Sequence, residues 1–364
     1  MEKRLKEVAC EMSFITNIQS VAKYESKILV RSWFFRIFTL LAVAFLGFFN
    51  FAMLLMEDSG GLWFEKSVAS NIPYFSLLLL NTGQAVVAVF LSSEFLKRDK
   101  KLDTSEVFYV RPLSNAEYVV GKIWGNLRVF LLLNVLILGI VMAFNFMAPG
   151  IAVDWQAYII YFFLISLPTL IFIIGLSIFL MLLLRNQALT FILLLGYIGL
   201  TLFYIQDKFY YLFDYMAYNL PLFKSTIVGF SSPELMLNHR AIYLFAGLGF
   251  IFFTIFLFKR LPNARRSHYP WLFLSLCMFG VAGTAGFRHI RLILEEGEVR
   301  ALYTSINNQY VHTPKMVIDC YDISVEQKPE SIESVVTMKG AALAASDVFT
   351  FCLNPGLKVE EVKE

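Results

Sequence analysis

Few residues in this chain are arranged to do chemistry. The densest group is the polar run SEFLKRDKKLDTSEVFYVRPLSNAEYVVGK, Ser93 to Lys122. Glu94 and Arg98 stand at i,i+4 spacing, as do Lys97 and Lys101, which predicts a helix continuing from the apolar segment before them. Pro112 interrupts that helix. Ser114 and Glu117 then match a capping box, in which a serine hydroxyl takes an orphan backbone N–H and the glutamate three residues on reaches back. A second helix is therefore predicted to start near Asn115. A capping box alone is a common pattern. Set in a basic stretch between two apolar segments, it describes a stiff elbow that a partner protein can push.

Catalytic signatures are missing. A phosphate-cradling loop needs the spacing G-x-x-x-x-G-K-[ST]. Here Gly121-Lys122 is followed by Ile123, and Ala116 stands where the first glycine belongs. Any ATP and magnesium chemistry must then reside in another subunit. His239, His268, His289 and His312 are scattered and none precedes a glutamate, so the zinc-peptidase pattern H-E-x-x-H is absent. Cys10, Cys277, Cys320 and Cys352 form no metal-ligand cluster. Cys320 and Cys352 share the C-terminal segment, where they are either two unpaired strand cysteines or a disulfide. The chain is expected not to be an enzyme.

Polar residues inside apolar runs are the other candidates, since intramembrane polarity often marks a pathway. Asn81 and Gln84 fall mid-run in one segment, and Asn126, Arg128 and Asn134 in the next. Asn81, Gln84 and Asn134 are candidate substrate-path residues, with interhelical hydrogen bonding as the plainer reading. Arg128 lies less than two turns from the end of its run, where snorkelling to the interface is the plainer reading. Pro168 is expected to kink its helix. Gly139 and Ala143 make a small-xxx-small pair, a weak packing signal. No apolar run carries Asp or Glu near its middle, which argues against an ion-coupled carrier.

The elements that position these residues follow from composition. Of 364 residues 58% are hydrophobic and 16% charged, against about 25% charged in soluble domains. A spanning helix takes about 20 apolar residues. Runs of that kind lie near 34–56, 71–92, 123–147, 157–184, 187–205, 241–258 and 270–287. Lysines and arginines gather before the first, between the second and third, at Arg185, and after the sixth at Lys259, Arg260, Arg265 and Arg266. The positive-inside bias places all of these in the cytoplasm and, after seven crossings, the C-terminus outside. A net charge of +3 gives no reason to expect nucleic acid.

Residues 13–31 read as an amphipathic approach that lies in the interface, or as a plain juxtamembrane helix. The aromatic stretch 206–240 is expected to form two short helices dipping back at the outer leaflet. From about 311 short alternating runs read as strands, with Asn354-Pro355-Gly356 as a turn, in what looks like part of a β domain.

With its approach helix, its elbow between the second and third runs, and its long connection carrying Asn219-Leu220-Pro221, the chain resembles the type-2 permeases of ATP-binding-cassette exporters over roughly residues 13–260. Glu94, Arg111-Pro112-Leu113-Ser114 and Gly121-Lys122 stand at the corresponding elbow motif. The seventh run departs from that family. The tail from about Lys315, above all Phe351 to Val359, resembles the first strands of the N-terminal β domain of aminopeptidase-N-type zinc peptidases.

These resemblances imply an all-α polytopic membrane protein with a short extracytoplasmic β-rich C-terminal segment. Its parts are a cytoplasmic N-terminus and elbow helix (1–33), a six-span permease domain (34–268), a seventh span (269–290) acting as a tether, and the β-rich segment (291–364). They further imply a permease subunit in a bacterial inner membrane, a homo- or heterodimer, driven by a separate ATP-binding-cassette ATPase. Glu94, Arg98, Arg111, Glu117 and Lys122 are the implied coupling residues. A membrane anchor for an outer peptidase-like domain is the alternative.

Overall fold

The computed structural model describes residues 2–55, 68–93, 113–147, 153–205, 207–225, 229–258, 269–313, 316–328, 331–343, 349, 351, 353 and 357–362, with backbone alone at 2–13, 54, 92 and 93. Residues 1–292 form one compact unit and 293–364 a second. Glu94, Arg98, Arg111, Cys352 and the turn at 354–356 lie outside the described residues.

The first unit is helical. An N-terminal helix α1 (Glu2–Arg31) breaks at Ser32 and is followed by α2 (Trp33–Leu55), α3 (Asn71–Ser93), α4 (Asn115–Met147), α5 (Trp155–Leu184), α6 (Gln187–Ile205), α7 (Pro233–Leu257) and α8 (Tyr269–Gln309). All but α1 are long and apolar enough to cross a membrane, seven among the described residues, so the chain is an all-α polytopic membrane protein with small sheets. In lipid the helices gain nothing by hiding apolar groups from water, so packing and interhelical hydrogen bonds hold them. The core lies between α3, α4 and α5, where Leu77, Phe130, Ile137, Ile173 and Ile174 are buried. Leu40, Phe48, Leu132, Ile192 and Phe273 point outward, as lipid-facing positions do.

α2 and α3 run antiparallel: Phe34 meets Phe90 near one end, and Asn50 bonds Ser76 near the other. α5 and α7 approach until their backbones nearly touch. A Cβ on Gly175 would stand 2.7 Å from Gly247 O, and one on Gly247 2.7 Å from Phe172 Cα. Within α5 the α-helical turns give way at Phe162–Ser166 to one π-helical turn just before Pro168. Proline has no N–H, so the carbonyl of Leu164 four residues back loses its helical donor, and the helix re-registers there.

Two short helices were expected in the aromatic connection between α6 and α7. Its described part instead holds one tight turn at Phe209–Tyr211, irregular chain to Phe223, and a two-residue pairing of β1 (Lys224–Ser225) with β2 (Gly229–Phe230). Phe209, Tyr210 and Tyr211 have φ of 51°, 60° and 61°. Three consecutive residues with side chains in the left-handed region cost about 1–2 kcal/mol each, so no regular helix forms here.

The second unit holds the end of α8 and an antiparallel hairpin, β3 (Met316–Gln327) with β4 (Ile332–Ala342). Alternation puts Tyr321, Ile323 and Val325 with Met338, Val336 and Ser334 on one face, and Asp322, Ser324 and Glu326 with Thr337, Val335 and Glu333 on the other. A bulge after Ile318 faces Gly340, where a Cβ would run into Val317 O. Cys320 is exposed and unpaired among the described residues. The strand reading holds for both strands, but helix continues to Gln309, well past the start expected for the β-rich segment.

Candidate coupling elbow and polar clusters

The capping box forms as the spacing predicts. Glu117 N donates to Ser114 Oγ at 3.1 Å, and Ser114 N donates to Glu117 Oε2 at 2.5 Å, so α4 starts at Asn115. The cap does more than start a helix. Glu117 Oε1 also accepts from Asn17 Nδ2 of α1 at 2.8 Å, and Asn115 Nδ2 donates to Phe258 O past the end of α7 at 2.6 Å. The first residues of α4 thus tie α1 and α7 together.

α1 runs beside α4 in the same direction. Asn17 meets Glu117, Val21 meets Gly121, and Glu25 and Ser26 meet Gly125. A Cβ on Gly121 would lie 2.7 Å from Val21 Cβ, and one on Gly125 2.7 Å from Glu25 Cβ and 2.8 Å from Ala22 O. Only hydrogen at these two positions lets the helices close this far, so Gly121-x-x-x-Gly125 is a packing motif. The seam then carries charge. Lys122 Nζ pairs with Glu25 Oε1 at 2.9 Å, both side chains 2% exposed, with the Tyr118 ring 5.0 Å from the ammonium. Arg128 donates through Nε to Ser26 Oγ at 2.5 Å and through Nη2 to Ala22 O at 2.8 Å, while Ser26 Oγ donates to Gly125 O at 2.6 Å. Arg128, read as a snorkelling residue, instead spends its donors on α1.

Of the five coupling candidates, Glu117 and Lys122 are therefore buried at the α1–α4 seam. Glu25, Asn17, Ser26 and Gly125 escaped the sequence reading, which took Gly121 only as a neighbour of Lys122 in the elbow motif. Their signal was the G-x-x-x-G spacing, passed over in favour of Gly139 and Ala143, both exposed and with no neighbouring group within 4 Å of a Cβ on Gly139.

The three substrate-path candidates converge on one another. Asn81 Nδ2 donates to Ser166 Oγ at 3.0 Å, Ser166 Oγ to Asn134 Oδ1 at 2.8 Å, Asn134 Nδ2 to Gln84 Oε1 at 3.0 Å, and Gln84 Nε2 to Asn81 Oδ1 at 2.7 Å. The four close a ring in which each donates once and accepts once, wholly buried, joining α3, α4 and α5. The second amide protons of Asn81 and Asn134 go to Leu77 O and Phe130 O on their own helices. Such a ring polarises in one sense and leaves little hydrogen-bonding capacity for a passenger. Ser166, its fourth member, ends the π-helical turn, and the sequence reading did not select it.

A third cluster lies under the aromatic connection. Arg240 of α7 is buried and reaches the π-helical turn: Nε donates to Leu164 O at 2.6 Å, and Nη2 to Thr169 Oγ1 at 2.8 Å and Ile165 O at 3.3 Å. Nη1 donates to Tyr215 O at 2.9 Å. The carbonyl orphaned by Pro168 thus receives a charged donor, and the same guanidinium holds the connection down. The Asp214 carboxylate in that connection accepts from Asn219 N at 2.8 Å. Burial pushes its pKa above the ordinary carboxylate value, opposed by backbone N–H bonds and by Arg240.

Two of the four scattered histidines meet here. His239 and His289 are fully buried with ring centroids 5.0 Å apart, and their Nε2 atoms bond the carbonyls of Tyr211 (3.0 Å) and Tyr210 (2.9 Å). No group of three or more metal-ligating side chains occurs among the described residues. No protein-family model matches the chain, and no curated protein matches it.

Proposed function

We propose that this chain is the membrane-spanning permease subunit of an ATP-driven exporter, with α1 and the start of α4 on the cytoplasmic side. It works as a dimer with a separate ATP-binding-cassette ATPase that binds the ATP and magnesium. The observation that carries the reading is the elbow. The basic stretch 94–112 leads into a capped helix start at Asn115, and that start is bonded to α1 and to the end of α7. A push delivered there moves three helices together, and the polar ring passes it from α4 to α3 and α5.

Within this reading the coupling residues divide their work. Glu94, Arg98 and Arg111 meet the ATPase, while Glu117 and Lys122 hold α1 to α4. Asn81, Gln84 and Asn134 keep three helices in register, and substrate passes elsewhere, at a surface completed by the second subunit. Replacing 97–112 with a neutral linker of equal length tests the proposal: the ATPase no longer co-purifies with the membrane protein. Stoichiometric ATPase retained by that variant refutes it.

A second reading has one observation in its favour. The apolar face of the β3–β4 hairpin is exposed, with Tyr321, Ile323 and Val325 uncovered, and a two-stranded hairpin is marginal on its own. A membrane anchor for an extracytoplasmic peptidase-like domain accounts for that face, and is compatible with transport by the first unit.

A further inference from the structure

α8, the helix without a counterpart in a six-span permease, is fastened to α7 along four turns. Ser275 Oγ donates to Gly249 O at 2.9 Å, Phe279 lies against Gly249, and Gly286 faces Ile242 and Leu212. Ser275, Ala282, Gly286 and His289 recur every three, four or seven residues, so one narrow stripe of α8 is buried, flanked by half-buried residues such as Leu274 and Phe279. The stripe ends at His289, where it meets His239.

The pair has a defined protonation pattern. A carbonyl only accepts, so each Nε2 must carry the proton it shares with Tyr211 O or Tyr210 O. Each neutral ring then presents a lone pair at Nδ1, and neither Nδ1 has a partner among the described residues. The carbonyls they hold belong to two of the three left-handed residues. A strained turn is thus pinned by two buried imidazoles from two helices.

We infer that the seventh membrane helix is a working part of the transport unit, and that His239 and His289 form an acid-released latch on the 207–222 segment. A proton from the medium taken up at either Nδ1 makes an imidazolium whose new N–H has no acceptor. Its charge stands 5.0 Å from the second ring and, on α7, beside buried Arg240. Other charges on the packed elements do not offset it. Glu234 of α7 and Arg288 of α8 pair with each other at the surface. Arg291 adds a further cation on α8, and Asp207 and Lys208 sit at the near end of the segment. Asp214 is committed to Asn219 N–H. The charged ring and the pinned turn exclude one another, so proton binding frees Tyr210 and Tyr211 and lets the strained turn relax. On the orientation proposed above this segment faces outward, where acidity varies most.

The test uses the full chain in nanodiscs of phosphatidylethanolamine and phosphatidylglycerol, with its four cysteines replaced by serine and a nitroxide on F209C. Phe209 is exposed, so the label reads the turn without filling the core. Label mobility rises as the pH is lowered from 8 to 5. Together His239→Gln and His289→Gln keep an N–H for both carbonyls but cannot be charged, and this double variant holds the label immobile across the range; His289→Ala leaves it mobile throughout. Either glutamine substitution alone keeps a transition through the remaining imidazole. Mobility flat from pH 8 to 5 in the parent overturns the latch, as does a transition that survives in the double glutamine variant. Asp214→Asn retains the transition; its loss there assigns the switch to the carboxylate and overturns the proposal. No ATPase is present, so the outcome is independent of whether the chain is an exporter.

Discussion

Removing one charge from the Glu25–Lys122 pair is the sharpest probe of the elbow. At 2.9 Å two unit charges attract by about 6 kcal/mol at an effective dielectric near 20. Desolvation takes back most of that, because both side chains are almost fully buried. The asymmetry matters more than the net. Glu25→Gln removes the buried counter-charge 2.9 Å from the ammonium, which costs about 3–5 kcal/mol, and Lys122→Met removes the carboxylate's buried cation at similar cost. The double variant E25M/K122M removes both charges together, keeps the volume, and is expected within about 1–2 kcal/mol of the parent. Hydrogen exchange over residues 15–31 reads this locally: amide protection in α1 falls for each single variant and returns in the double. Thermal unfolding in detergent follows the same order. Singles that leave α1 protection unchanged, or a double whose loss equals the sum of the singles, would refute the idea that this pair bolts α1 to α4.

Four further outcomes follow from the same geometry. Gly125→Leu drives a side chain into Ala22 and Glu25, and is expected to cost at least the 1–3 kcal/mol of an overpacked core and to open α1 to exchange. Arg240→Lys cannot serve Leu164 O, Ile165 O and Tyr215 O at once, so about 1–3 kcal/mol is lost for each carbonyl left without a donor, read as a lowered unfolding midpoint; a midpoint equal to that of the parent contradicts the role. Asn134→Leu opens the polar ring at a cost near 0.6–1.7 kcal/mol per bond while leaving substrate preference unchanged; a changed preference at full stability makes Asn134 a substrate contact after all. Asp214 has a folded pKa above its unfolded value, so its ionisation penalises the fold, and stability falls as pH rises from about 4 through the folded value; that slope is absent in Asp214→Asn, measured by unfolding midpoints across pH.

What the sequence allowed one to read was set by how local each signal is. The seven apolar runs, the start of α4 at the Ser114–Glu117 box and the hairpin strands at 316–327 and 332–342 are encoded in consecutive residues and are found, whereas the described residues after 343, also read as strand, form none. The seam between α1 and α4 joins residues about 100 apart, and nothing in the composition of 13–31 distinguishes a partner helix from an interfacial one. Phe209 to Tyr211 read as part of a short helix at the outer leaflet, because a left-handed turn without glycine exists only where other helices impose it. The pairing of His239 with His289 was hidden for the same reason: fifty residues and two helices separate them.

Intramembrane polarity in this protein is of two kinds, and under the proposed function the distinction bears on where transport would take place. The ring of Asn81, Gln84, Asn134 and Ser166 is neutral, closed and buried among three helices, so breaking it to admit a passenger leaves four polar groups to be satisfied in a dry core. Arg240 and the two histidines are bound mainly to backbone carbonyls of segments that helical geometry left open, at the π-helical turn and in the strained connection. Those contacts are exchangeable, because water can replace an imidazole or a guanidinium at a carbonyl once the segment lifts. The ring therefore belongs to a rigid block of α3, α4 and α5. On the exporter reading proposed above, movement belongs at the two ends of that block, the α1–α4 elbow where the ATPase would push and the α6–α7 connection where the histidines let go.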